Sequence, residues 1–140
     1  MLIIDPPLAD MTASSLARFV RKAQRLAGVA GEVDVLITGN RQVRELNRRF
    51  RKYDKPTDVL SFPRTEGGGG DIAISAPIAA LNAARFGHST ADELKILILH
   101  GLLHLAGYDH ERDNGRMAAE ESRLRARLRL PGALIERSNP

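Results

Sequence analysis

Residues 90–107 read TADELKILILHGLLHLAG, and this stretch dictates how the rest of the chain must be arranged. Thr90 followed three residues later by Glu93 has the form of a capping box, which satisfies the first backbone donors of a helix. Gly107 supplies the left-handed stop at its end. Between them Leu94, Ile96, Leu97, Ile98, Leu99, Leu102, Leu103 and Leu105 point almost all round the helix. Such a helix has no solvent face and belongs at the centre of the molecule.

The flanking segments supply what would cover it. LIID at residues 2–5 opens as a short strand ended by Pro6 and Pro7. From about Ala9 to Leu26 apolar residues Leu16, Phe19, Val20, Ala23 and Leu26 recur at helical spacing, and Gly28 stops the helix. EVDVLIT at residues 32–38 alternates and is rich in β-branched residues, which predicts a strand. RQVRELNRRF follows as a helix with Val43, Leu46 and Phe50 on one stripe and Arg41, Arg44 and Arg48 along another face. Pro56 disfavours helix before it, DVLSF reads as a strand, and RTEGGGG turns the chain into a second strand, DIAIS, antiparallel to the first. A helix over residues 76–87 precedes the central one, and a last helix, roughly Arg112 to Leu130, carries Arg and Glu on its outer faces. Strands interleaved with helices predict an α+β fold: a single mixed sheet with an antiparallel pair, packed against helices, around a buried central helix. At 140 residues the chain suits one domain, residues 1–140.

Composition narrows the function. Hydrophobic residues make up 43% and charged residues 27% of the chain, which excludes wholesale disorder. There is no cysteine, so any transition-metal site must be built from His and carboxylates. The longest apolar run, residues 94–106, has thirteen residues with Lys95 and two histidines inside it. It is too short and too polar to span a bilayer, and with no signal-peptide pattern at the start the expectation is no membrane and a cytoplasmic location. The formal charge of +4 favours an anionic partner such as nucleic acid. Seventeen of the 21 basic residues are Arg, however, and such a bias arises from genome composition as readily as from RNA contact.

Three of the four histidines fall within HGLLHLAGYDH, residues 100–110. His100 and His104 differ by roughly 40° in azimuth and about 6 Å in height on the helix, so both can bind one ion. On a continued helix His110 would lie roughly 240° around from His104 and about 9 Å along, out of reach. A glycine in left-handed conformation at Gly107 turns the chain so that His110 can arrive at the same ion. Three imidazoles with an open fourth position make a catalytic zinc-type arrangement, one metal per chain, with another divalent transition metal as the alternative. Asp109 adjoins His110 and is awkwardly placed for simultaneous ligation. His88 stands apart and reads as a satisfied core histidine, and Met117 as core filler. The spacing is that of metzincin proteases, but Gly101 stands where a zincin carries its glutamate base, which argues against a peptidase.

The same run resembles the H-G-x-L-H-L-x-G-Y-D-H signature of the YbeY family of bacterial rRNA maturation endoribonucleases. LNRRFRKYDKPTDVLSFP and GDIAIS are similar to that family too, and the resemblance covers essentially the whole chain. It implies a zinc-dependent, single-strand-specific endoribonuclease in ribosomal RNA maturation, at the 3′ end of small-subunit rRNA, and in ribosome quality control. The implied partners are ribosomal RNA and the ribosome or small-subunit assembly factors. Carried over by position, the metal ligands are His100, His104 and His110, and the family's important arginine is Arg51. In such a site a metal-activated water attacks the phosphodiester while an arginine stabilises the charge that develops. Arg48, Arg49, Lys52 and Lys55 are candidates to track the RNA backbone, while Ser61 either touches the site or alternates outward. RTEGGGG is shorter and more glycine-rich than the usual connection and lacks the leucine common before the Gly-Asp-Ile strand. The alternatives are a zincin-like peptidase and a non-catalytic RNA-binding assembly factor.

Overall fold

A computed structural model describes residues 1–8, 13–51, 57–109 and 113–131. In chain order the elements are β1 (Leu2–Ile4), α1 (Ala13–Ala27), β2 (Glu32–Thr38), α2 (Asn40–Arg51), β3 (Val59–Pro63), β4 (Gly69–Ser75), α3 (Ala76–Phe86), α4 (Thr90–Leu105) and α5 (Arg116–Leu128). The four strands form one mixed sheet in the order β1-β2-β4-β3. β1 and β4 run parallel to β2, and β3 returns antiparallel to β4 with Ser61 opposite Ile72. This is the expected mixed sheet with its antiparallel pair.

Strand alternation divides the side chains between two faces. Val33, Val35 and Ile37 of β2 and Ile72 and Ile74 of β4 enter the main core with α1, α4 and α5. Helix α4 is buried as its sequence demands: Leu94, Leu97, Ile98, Leu102 and Leu103 are all inaccessible to solvent. On the other face α2 places Val43 and Leu46 against Leu60, Phe62 and Ala73, a small second core over β3 and β4. Phe50 departs from the expected apolar stripe: one turn beyond Leu46 it is 59% exposed.

Two helix starts differ from the sequence reading. Ser89, not Thr90, caps α4, accepting a hydrogen bond from the Asp92 N–H at 3.0 Å. Glu93 then lies one position too far along to close a capping box, and it is fully buried with its Oε1 2.6 Å from His88 Nε2. His88 is thus a partnered histidine, as anticipated. Helix α5 begins at Arg116, later than anticipated, because Gly115 is in a left-handed conformation and the Asp113 carboxylate accepts from the N–H groups of Gly115 and Met117. The glycine-rich turn has a steric reason at Gly69, whose φ is 74° and where a Cβ would stand 2.0 Å from the Glu32 carbonyl oxygen. Only glycine lets β4 start against β2 there.

Candidate active site

The second half of α4 carries His100 and His104, and the sheet sets how deep they sit. A Cβ on Gly101 would lie 3.0 Å from two carbons of Ile72 and 3.1 Å from Ser61 Oγ. The glycine therefore lets α4 approach β3 and β4 as closely as it does. Ser61 points inward, not outward, and its hydroxyl donates to the Gly101 carbonyl at 3.2 Å.

The two imidazoles meet edge to face, with ring centroids 4.8 Å apart and their Nε2 atoms separated by 3.2 Å. His104 Nδ1 lies 3.1 Å from the Tyr108 carbonyl oxygen. A carbonyl can only accept, so that nitrogen carries the proton and Nε2 of the neutral ring presents its lone pair. His100 Nδ1 lies 3.5 Å from Glu121 Oε2, long for a hydrogen bond but close for a charge contact. With Nδ1 turned to an acceptor in both rings, the two Nε2 atoms are the pair that could share one cation. Two nitrogens bound to one tetrahedral zinc lie about 3.3 Å apart. The observed spacing matches an edge of such a tetrahedron.

Glu121 is the residue that reading the sequence missed. Placed there among the outward-facing charges of the last helix, it is instead only 1% exposed. The signal was available: Met117, Glu121 and Leu124 follow at i, i+4 and i+7, and all three are buried on one face of α5. A carboxylate within an apolar stripe needs a partner, and His100 is beside it. Carboxylate contacts of this kind orient metal-binding imidazoles and raise their basicity.

Beyond α4 the chain turns as anticipated. Gly107 has φ of 101°, its N–H donates to the His104 carbonyl, and the Tyr108 N–H donates to that of Leu103. This is a complete Schellman motif. His110 lies outside the described residues, as do Lys52 and Lys55, and among the described residues no three potential ligands gather into one cluster.

Arg51, the last residue of α2, reaches the edge of the sheet. Its Nη2 donates to the Ser61 carbonyl oxygen, and its guanidinium lies 5.2 Å from the centre of the Phe62 ring. Ser61 in turn holds Gly101, the neighbour of His100, so one residue of the edge strand joins the arginine to the histidine helix. A guanidinium has five N–H donors, and the bond to Ser61 uses one. Arg49 lies over Phe50 at 5.4 Å. Arg48 pairs with Glu45 at 2.6 Å, both half-exposed, a surface pair of small energetic weight.

Comparison with known proteins shows the family and the fold that carry these residues. Residues 5–129 match the family model described as Endoribonuclease YbeY. The chain is 55% identical over 139 residues to Endoribonuclease YbeY of Koribacter versatilis, spanning 99% of this chain and 91% of that one. It is 50% identical to the protein of the same name from Solibacter usitatus, over 92% of this chain and 88% of that one. The solution structure of TM1509 from Thermotoga maritima superimposes with a TM-score of 0.59 at 29% identity, covering 92% of both chains. With the histidine helix, the glycine turn and the arginine at the sheet edge in place, the chain belongs to the YbeY family of endoribonucleases.

Proposed function

We propose that this endoribonuclease hydrolyses phosphodiester bonds of single-stranded ribosomal RNA at a zinc site formed by His100, His104 and His110, with Arg51 bound to the reacting phosphate. The observation that carries the reading is the 3.2 Å approach of His100 Nε2 and His104 Nε2, on the helix that Ser61 links to Arg51. Bound there, a divalent ion supplies Lewis-acid polarisation of a phosphoryl oxygen and a nucleophile competent near neutral pH. The protein supplies the rest. Arg51, held by the Ser61 carbonyl and Phe62, offers donors to the non-bridging oxygens, where negative charge builds up in the transition state. Glu121 and the Tyr108 carbonyl keep the Nδ1 protons of His100 and His104 directed away from the metal side, which holds both Nε2 atoms in the ligating tautomer.

The assignment to ribosomal RNA, to maturation of the 3′ end of the small-subunit rRNA, to ribosome-assembly partners and to the cytoplasm rests on the family resemblance together with the net positive charge. None of the described helices is long and apolar enough to cross a membrane. A zincin-type peptidase is disfavoured because Gly101 supplies no carboxylate base where a zincin has one, and a Cβ there would already press on Ile72 and Ser61 at 3.0–3.1 Å.

The test is cleavage of a single-stranded rRNA fragment by the purified protein, with metal content measured on the same sample. We expect close to one zinc per chain, loss of cleavage on chelation, and recovery on adding zinc back. His104→Ala should lose both metal and cleavage, whereas Arg51→Ala should keep the metal and lose most of the rate. Cleavage unchanged by chelation would refute the metal-dependent reading. A rate that falls in Arg51→Ala only as far as RNA affinity falls would instead support a binding role for the arginine.

A further inference from the structure

Helix α2 covers only the β3 and β4 half of its side of the sheet. Beside it lies a groove of about 380 Å³ lined by Ile3, Leu36, Leu46, Phe50, Phe62 and Ala73 among others, near the lower end of the range for small-molecule sites. Two large apolar side chains flank it in the open, Phe50 at 59% and Ile3 at 47% exposure. In a chain with only six aromatic residues, two phenylalanines meet here edge to face, 5.5 Å between ring centres. Each also has a guanidinium over its ring, Arg49 on Phe50 and Arg51 on Phe62.

The groove's charge selects its occupant. Its charged lining groups are the Asp34 and Asp71 carboxylates and the Met1 ammonium; the ammonium pairs with Asp34 at 2.9 Å and Arg64 bridges both carboxylates at 2.7 and 3.0 Å, so these charges offset one another and give a phosphate no net attraction there. Cationic groups lie along the adjoining helix, where Arg48, Arg49 and Arg51 close α2. A ligand that is anionic along one side and flat and weakly polar on the other fits that division. Unpaired nucleotides have this character, and proteins hold them by stacking bases on aromatic rings and Arg planes while basic residues follow the backbone. Phe62 faces the α2 side of the sheet and Ser61 the α4 side, and Arg51 joins the two at the edge strand, bonded to the Ser61 carbonyl and lying over the Phe62 ring that lines the groove.

We propose that the groove is a nucleobase subsite, in which an unpaired base of the RNA strand beside the phosphate bound by Arg51 enters between Ile3 and Phe50 and stacks on Phe50. The proposal rests on the reading that Arg51 and the histidines act on an RNA phosphodiester. It accounts for an aromatic ring left in solvent one turn beyond a packed one, and it requires a single strand, because a paired base has no free face to offer.

The chain contains no tryptophan, so Phe50→Trp installs a single indole reporter. Metal-free protein carrying this substitution would be titrated with a short oligoadenylate and with an abasic ribose-phosphate strand of equal length. Quenching by the oligoadenylate and not by the abasic strand is expected, and Phe50→Ala should raise KM for single-stranded RNA about ten-fold with an unchanged circular dichroism spectrum. Equal quenching by both strands, or an unaltered KM, overturns the subsite. An indole signal that changes with protein concentration alone assigns the groove to a second copy of the chain and also overturns it. If those results come with cleavage that still depends on His104 and Arg51, the subsite alone fails. Cleavage independent of both residues removes the underlying reading and the subsite with it.

Discussion

Gly101 has two meanings, and they belong to different physics. As a missing side chain it separates the site from that of a zincin; as a packed backbone it sets the distance between α4 and the sheet. We expect Gly101→Ala to destabilise the protein by about 1–3 kcal/mol through overpacking, offset by up to about 1 kcal/mol of helix propensity, as read from the urea midpoint. Stability equal to or above wild type would show that Ile72 and Ser61 yield without strain. At Glu121 the prediction concerns the metal. If the proposed site holds zinc, Glu121→Gln, which keeps the shape but removes the charge beside His100 Nδ1, should lower zinc affinity about 10- to 100-fold, measured by competition with a chelating dye. An unchanged affinity would reduce Glu121 to a packing role. His100, His104 and the glycine turn were legible one residue at a time because helical geometry relates positions three and four apart. Glu121 was harder to read, since it meets His100 only after α5 has docked on α4.

Among the elements, α4 shows how a one-residue shift in a cap changes the role of a side chain. With Ser89 as the cap, Ser89→Ala should cost about 1 kcal/mol, and Thr90→Ala much less; equal losses in thermal or urea unfolding would contradict the assignment. Glu93, freed from capping, instead forms the buried contact with His88. Helix α2 divides along its length. Its first turns pack Val43 and Leu46 on the sheet, and its last turn carries Arg48, Arg49 and Arg51, of which Arg51 reaches the sheet edge. If Arg48 contacts a phosphate, Arg48→Ala should flatten the salt dependence of RNA binding by about 0.7 in the log–log slope, as for one contact to a single strand. A slope equal to that of wild type would show that Arg48 makes no phosphate contact. The sequence predicted α2 and its apolar stripe. It could not show that the stripe outruns the sheet at Phe50, because the width of the neighbouring layer is not a local property.

At the scale of the molecule, charges on the α2 side of the sheet tie three strands together. Asp34 on β2 and Asp71 on β4 share Arg64, which follows β3. Hydrogen bonds from the Met1 ammonium and then from Arg64 hold the Asp34 carboxyl below its ordinary value of about 3.8. A carboxylate with a depressed folded-state value stabilises the protein above its unfolded value and loses that contribution as pH falls through the folded one. Acidification from about pH 4 downward should therefore weaken wild type more steeply than Asp34→Asn, in urea unfolding followed across that range. Parallel acid limbs would mean that the pair is fully screened at the surface.

Local physics was enough for the element order, the buried central helix, the antiparallel pair, the two helical histidines and the turn at Gly107, because each rests on periodicity, capping or glycine conformation within a few residues of the chain. Folding in three dimensions decided the rest. It aimed Ser61 inward at the Gly101 carbonyl, brought Arg51 to the edge of β3, placed Glu121 behind His100, and left an apolar groove where α2 ends and the sheet continues. Each of these depends on the distance and register between elements far apart in sequence, which packing sets and no short stretch of sequence encodes.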